Sequence, residues 1–300
     1  MRAARLTVLA AAGVLALAGC GTASVTDTPS TTAAPASAPA SPDAGTEPVD
    51  VAGADWAHVH NLAFTGDGTL LLGTHEGLYQ HAPGQQPILL SETRFDVMGL
   101  AHDGRRWLAS GHPGQGEDLP ADLGLRTSPD GRAWTTVSLL GEVDFHRLTA
   151  SGDTILGVAA HGGSLLRSTD GGSTWTTLAN PGVFDVALDP AQPTRAVATT
   201  QTGPVLSDDA GSTWKSLPGA PVVAFVAWSG SDLIGVAPDG TVHVSGDDGA
   251  TWQARANVGG QPAALAVDAE RIAVLVDGTV RESGDGGATF TDRITGIGGH

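Results

Sequence analysis

Apolar residues are distributed in three distinct ways along the chain. Residues 6–18 form one uncharged apolar run, whereas residues 21–54 are rich in Thr, Ser, Ala and Pro and show no apolar period. From about residue 55 onward, short runs of Val, Leu, Ile and Thr alternate with Gly and Asp-Gly turns, a pattern typical of strands. The sequence therefore predicts an all-β domain over residues 55–300.

The β region is internally repeated. The copies of one short motif are Ser168–Trp175, Ser207–Trp214, Ser245–Trp252, Ser283–Phe290 and the shorter Ser128–Trp134. They begin 38 to 40 residues apart, a period that indicates one propeller blade per copy. Apolar inner-strand positions recur six times, at Leu62, Leu100, Leu148, Val186, Val226 and Leu265. We therefore expect a six-bladed β-propeller with four strands per blade, an insertion at 113–123 in blade two, and closure by packing of blade one on blade six.

The repeated motif resembles the Asp-box, or BNR, repeat of sialidase-type propellers, whose pattern is Ser-x-Asp-x-Gly-x-Thr-Trp. The resemblance covers residues 58–293 and implies that each box forms the turn between the third and fourth strands, opposite the usual binding face. Three further segments, His58–Ala63, Gly111–Gly114 and Glu142–His146, are similar to uncharacterised His-rich bacterial lipoproteins that are often labelled glycosyl hydrolases.

The N-terminal zone resembles a lipoprotein signal. Arg2 and Arg5 precede the apolar run, which is shorter than the roughly 20 residues that span a bilayer, and Leu17–Cys20 resembles the bacterial lipobox. The sequence predicts a signal peptide at 1–19, acylation of Cys20, the only cysteine, and a flexible linker over 20–54. The protein is then expected on the outer side of the cell membrane; an ordinary signal peptide with an incidental Cys is the alternative.

The charge of the chain narrows the choice of partner. There are 32 acidic against 15 basic residues, a net charge of −17. Nucleic acid is excluded as an expected partner, because phosphate backbones require clustered Lys and Arg. The excess of acidic residues is compatible with a cationic or neutral ligand, and it also keeps a protein soluble without any ligand.

Superposing the predicted inner strands brings potential metal ligands into register in blades one to three only. Since side chains two apart on a strand share a face, we expect these residues to meet at one mouth of the channel: His58, His60, His75, Asp96, Met98, His112, Asp144, His146 and His161. Imidazole with carboxylate suits transition metals, and a thioether favours copper, so copper or zinc is expected without a choice between them. The alternative is a set of polar residues lining a hydrated channel.

Five other residues are expected near the same face and could contact a ligand: Trp56, Glu76, Arg94, Glu117 and Asp118. Sialidase activity is not expected, because the family's Tyr nucleophile and Arg clamp have no good match. The one tyrosine, Tyr79, lies at the start of a predicted third strand. The sequence favours a surface module that binds a transition metal or small ligand. It leaves open a metal-assisted hydrolase, with Glu117 moving protons, and a docking scaffold for an envelope protein.

Overall fold

The chain folds into six antiparallel sheets arranged as the blades of a propeller. The computed structural model describes residues 47–56, 58–269 and 271–298. Each blade has four consecutive strands, and the inner strands of neighbouring blades contact one another around the whole ring. The predicted six-bladed propeller is confirmed. The predicted signal peptide, Cys20 and most of the predicted linker lie outside the described residues.

The first three blades contain twelve strands, β2 to β13. They are β2 (Val59–Phe64), β3 (Leu70–Thr74), β4 (Gly77–His81), β5 (Ile88–Leu89), β6 (Asp96–His102), β7 (Trp107–His112), β8 (Leu125–Ser128), β9 (Thr135–Ser138), β10 (Phe145–Ser151), β11 (Thr154–Ala159), β12 (Leu165–Ser168) and β13 (Thr176–Leu178). The insertion predicted at 113–123 connects β7 to β8.

The last three blades contain β14 to β25. They are β14 (Asp185–Leu188), β15 (Ala196–Thr199), β16 (Val205–Ser207), β17 (Lys215–Ser216), β18 (Phe225–Ser229), β19 (Asp232–Val236), β20 (Thr241–Ser245), β21 (Gln253–Asn257), β22 (Pro262–Val267), β23 (Ile272–Val276), β24 (Thr279–Ser283) and β25 (Thr291–Thr295). Within the described residues no helix is long and apolar enough to cross a bilayer.

The repeated motif forms a hydrogen-bonded turn between the third and fourth strands of a blade. In blade three Ser168 Oγ accepts from Gly172 N at 2.8 Å, and Asp170 accepts from both Thr174 N and Thr174 Oγ1. These bonds, from the Thr174 hydroxyl first, lower the pKa of Asp170 to about 2. Trp175 closes the turn through Gly172 O and packs on Phe145. The carboxylates are thus occupied by their own turns, which agrees with a structural role.

A short strand before blade one adds a fifth member to blade six. Strand β1 (Val49–Asp50) pairs in parallel with the outer strand β25, and Val49 and Val51 are buried in the core shared by blades one and six. This strand lies inside the segment assigned to the linker, and the sequence did not predict it. The prediction that packing of blade one on blade six closes the ring is therefore incomplete, because the chain that precedes blade one also hydrogen-bonds to blade six.

A buried polar bridge also joins blade six to blade one. Arg293 of β25 donates to His81 Nδ1 (3.0 Å), His81 O (2.9 Å) and Gly68 O (3.2 Å) in blade one, and it pairs with Glu282 of its own blade. Burial, together with the Arg293 charge, lowers the pKa of His81 to about 4. The imidazole is therefore a neutral acceptor at physiological pH, which suits it to receive the guanidinium N–H.

Candidate functional site

Inner strands of four blades carry a β-bulge at the same position. The bulged residues are His60, Met98, His146 and Ala263. A bulge bends its strand and re-aims the side chain. All four residues line a cavity of about 670 Å³ at one mouth of the channel. In blades one to three the bulge therefore presents an imidazole or a thioether to this mouth cavity.

His58, His60, His75 and Asp96 form a compact group between blades one and two, here called the blade one–two cluster. His60 Nε2 lies 3.3 Å from Asp96 Oδ1 and 3.3 Å from His75 Nδ1, and His75 Nδ1 lies 2.8 Å from Asp96 Oδ2. The His58 ring stacks on His75 with a centroid distance of 4.5 Å. Burial raises the pKa of Asp96, but the hydrogen bonds from His60 and His75 outweigh it, and the net shift is downward. Asp96 is thus held as a carboxylate.

His112, Asp144 and His146 form a second group between blades two and three, here called the blade two–three cluster. Asp144 Oδ2 lies 2.8 Å from His146 Nε2 and 3.3 Å from His112 Nε2. The Asp144 side chain is fully buried. Although the distances are short, the angles are poor: both Asp144 oxygens and His146 Nε2 lack a hydrogen-bond partner in good geometry. A buried carboxylate thus faces two ring nitrogens without being satisfied by either.

The fold fixes the orientation of the blade two–three cluster. His112 Nδ1 lies 2.9 Å from the Ala121 carbonyl oxygen, so Nδ1 carries the proton as donor and, in the neutral ring, Nε2 turns a lone pair toward Asp144. Ser110 Oγ accepts from Phe145 N at 2.9 Å and ties the start of β10, directly after Asp144, to blade two. Gly111 is required beside His112, because a Cβ there would stand 1.7 Å from Asp96 O.

Both clusters satisfy the geometric requirement of a metal site. In each, three His or His/Asp ligand atoms lie within 4.8 Å of one another. Ligands at about 2.0–2.1 Å from a tetrahedral ion are separated by about 3.3 Å, which matches the distance from His112 Nε2 to Asp144 Oδ2. The 2.8 Å distance from His146 Nε2 to the same oxygen is shorter and would lengthen when an ion binds. The unsatisfied oxygens of Asp144 are the observation that favours an ion, since unpaired buried charge is costly. The donor set suits zinc or copper.

Two predicted ligands lie outside the clusters. Met98 lines the mouth cavity with His60 and His146, as its position between their blades requires. His161 is exposed, and its Nε2 is 3.9 Å from Asp122 Oδ1. It lies one residue beyond Ala160, whose amide donates to Asp144 O; the place in blade three that matches His75 and His112 therefore belongs to Ala160, and His161 is displaced from it.

The additional ligand-contact candidates have other structural partners. Trp56 stacks on the buried Tyr79 ring at 4.6 Å, which is packing. Burial raises the pKa of Tyr79, so this phenol is poorly suited to act as a nucleophile. Glu76 pairs with Arg94 at 3.4 Å on the surface. In the insertion, Glu117 Oε2 accepts from Gly114 N at 2.9 Å, and Asp118 is exposed.

Sequence reasoning missed a buried carboxyl beside the mouth cavity. Asp185 Oδ2 accepts from Val226 N at 2.9 Å, and Oδ1 lies 3.7 Å from Arg147 Nε. Burial raises the pKa of Asp185 despite the opposing effect of Arg147. The sequence feature that could have revealed Asp185 is an acidic residue on an inner strand. The matching positions in the other blades are Asn61, Gly99, Arg147, Phe225 and Ala264.

Comparison with known proteins shows the fold alone. No family model matches the chain, and no curated protein sequence matches it. Among solved structures it is similar to a chain of a nidogen/laminin complex, with 11% identity over 76% of this chain and 93% of that one and a TM-score of 0.59. The WD40 propeller domain of Doa1 is 12% identical over 80% of this chain and 83% of its own, with a TM-score of 0.55. An ancestral GH74 enzyme is 13% identical over 78% of this chain and 37% of its own, with a TM-score of 0.51.

The chain is a β-propeller. These similar structures belong to different kinds of protein, since one is a chain of a nidogen/laminin complex and another is called an enzyme. Because one fold hosts many unrelated functions, the two clusters rather than the propeller must carry any functional conclusion.

Proposed function

We propose that this propeller is a surface module that binds a transition metal ion, zinc or copper, through the His/Asp clusters of blades one to three. The observation that carries the proposal is the buried Asp144 carboxylate, which faces His112 and His146 but accepts no well-formed hydrogen bond. A divalent cation between the three residues would satisfy the carboxylate and both ring nitrogens at once.

The same arrangement accounts for the supporting contacts. The Ala121 carbonyl holds His112 in the tautomer that a metal requires, as outer-sphere partners of metal-binding histidines generally do. In the blade one–two cluster, Asp96 plays the corresponding part for His60 and His75. An excess of acidic residues over the whole chain favours cation uptake electrostatically.

Metal titration of the purified protein tests the proposal. After chelator treatment, isothermal titration with Zn²⁺ and Cu²⁺ should show stoichiometric binding to the wild type. His112→Ala/His146→Ala should weaken binding of at least one equivalent by more than about 100-fold, beyond the loss typical of outer-sphere changes. The matched control is His102→Ala/His161→Ala, which removes two imidazoles outside the clusters and should keep wild-type stoichiometry. Equal binding by the two double variants, or no binding by the wild type, refutes the proposal and leaves a docking scaffold.

A second candidate, metal-assisted hydrolysis, is favoured by the number of ligands in the blade two–three cluster. Three protein ligands leave a fourth position of a tetrahedral ion open for water, the arrangement of catalytic rather than structural zinc sites. Turnover of chromogenic esters, phosphates and glycosides by metal-loaded protein separates this candidate from simple binding.

We further propose that the protein is a lipoprotein on the outer side of the cell membrane, anchored through acylated Cys20 after removal of residues 1–19. Support comes from the Arg-flanked apolar run and from Leu17–Cys20. Cell fractionation should find the wild type in the membrane fraction and Cys20→Ser outside it. Membrane retention of the Cys20→Ser variant contradicts the anchor.

A further inference from the structure

The mouth cavity has a cationic wall beside an apolar one. His146 and Arg147 line one side, because the bulge at His146 lets two consecutive residues face the same space. Phe184, Met98 and Ala263 are among the residues that supply apolar surface. At about 670 Å³ the cavity falls in the size range of small-molecule sites, which combine apolar walls with a few polar groups.

Arg147 is held in place to present its guanidinium. Its Cζ lies 5.3 Å from the Phe184 ring centroid and 5.2 Å from that of Phe225, within cation–π range. Nη1 donates to the His146 carbonyl oxygen at 2.9 Å, while Nε is buried without an acceptor. The nearest carboxylate, on Asp185, is 3.7 Å from Nε, too far for a hydrogen bond. The guanidinium is thus fixed, and its Nη atoms rather than the buried Nε are the donors available to a ligand in the cavity.

The charged groups around the mouth cavity would favour the binding of one anion. A divalent ion with Asp144 and two neutral imidazoles carries one net positive charge, and Asp185 at most cancels that of Arg147. Asp277 lines the cavity on the blade six side and would repel an anion there. A negatively charged group is thus directed toward the side formed by His146 and Arg147.

An exposed aromatic ring marks the adjacent wall. Phe184 is 53% exposed, although it forms part of the cavity lining and contacts Phe225 edge-on at 5.7 Å. Small-molecule pockets are lined mainly by hydrophobic and aromatic side chains, and Phe184 supplies such a ring at this cavity. A ligand body that covers this ring would gain apolar burial.

We propose that the mouth cavity binds a small aromatic carboxylate, whose carboxylate bridges the metal ion of the blade two–three cluster and Arg147 while its ring packs on Phe184. The proposal rests on the proposed metal-binding function and adds the class of ligand. A planar carboxylate offers one oxygen to the metal and the other to the guanidinium, a pairing for which Arg geometry is well suited.

Calorimetric titration with benzoate, and with benzamide as its neutral isostere, tests this ligand class. Zinc-loaded protein should bind one benzoate at least about tenfold more tightly than chelator-treated protein does, and at least about tenfold more tightly than it binds benzamide. Arg147→Met should lose at least about tenfold in benzoate affinity, whereas Arg255→Met, which removes an exposed charge on β21, should not. Zinc content is measured on every variant.

The outcomes separate the two proposals. If zinc does not bind, the metal proposal fails and the bridging ligand with it. If zinc binds but benzoate does not, the ligand inference is overturned and metal binding stands. The same holds if benzoate binds equally well without zinc, no more tightly than benzamide, or as tightly to Arg147→Met as to the wild type.

Discussion

Asp144→Asn is expected to abolish metal binding at the blade two–three cluster and, at the same time, to stabilise the metal-free protein. The carboxylate is fully buried and its oxygens have no well-formed hydrogen bond, so without metal it is a buried charge with poor compensation. A neutral amide of the same shape removes that cost, worth about 1–3 kcal/mol at pH 8. The amide cannot supply the anionic ligand, so zinc affinity should fall by more than about 100-fold.

Urea unfolding with chelator and with excess zinc measures both effects. In the wild type zinc should raise the free energy of unfolding, by about 4 kcal/mol at 1,000 times the dissociation constant; in Asp144→Asn the increase from this cluster should vanish. Asp118→Asn is the matched control, because it makes the same charge change at an exposed site on the same face. A metal-free Asp144→Asn protein that is less stable than wild type would instead show that Asp144 serves as the ion-pair partner of protonated histidines.

Arg293→Met is expected to reduce the free energy of unfolding by about 3–5 kcal/mol, the usual effect of removing one partner from a buried ion pair. Arg293 is 8% exposed, and its loss leaves Glu282 without its cation and His81 without its donor. Because these bonds join the last blade to the first, the loss acts on ring closure itself. Chemical denaturation followed by tryptophan fluorescence gives the change.

Two further variants give this expectation its control and its rescue. Lys215→Met removes an exposed ion pair with Asp208 and should cost less than about 1 kcal/mol. Glu282→Gln added to Arg293→Met should recover part of the lost stability, since it removes the charge left unpaired. A loss below about 1 kcal/mol in Arg293→Met would mean that apolar packing and the β1–β25 pairing close the ring without this bridge.

The fold could be predicted because its signals are local and recur. Each turn motif carries its own hydrogen bonds, as Ser168 and Asp170 show, and the period between copies reports the blade length. Strand β1 was missed because two residues, Val49 and Asp50, carry no readable alternation. Their pairing with β25 depends on a surface created about 240 residues later in the chain.

The sequence predicted which residues share a face but not how they group, because the grouping depends on contacts between blades. Strand alignment places histidines and acids of three blades on one face, and seven of the nine predicted ligands do enter the clusters. Their division into two groups arises at the blade interfaces, where His60 meets Asp96 and His112 meets Asp144. The bulges that re-aim His60, Met98 and His146 also occur at Ala263, so the residue type at a position does not predict a bulge.

The parallel pairing of β1 with β25 determines where the chain enters the ring. Strand β25, the fourth of its blade, runs toward the face on which the inner strands start and both clusters lie; β1 runs the same way. Residue 47 therefore enters at the rim of the opposite face, the one that carries the repeated turns. The entry of β1 and the two His/Asp clusters therefore lie on opposite faces of the ring.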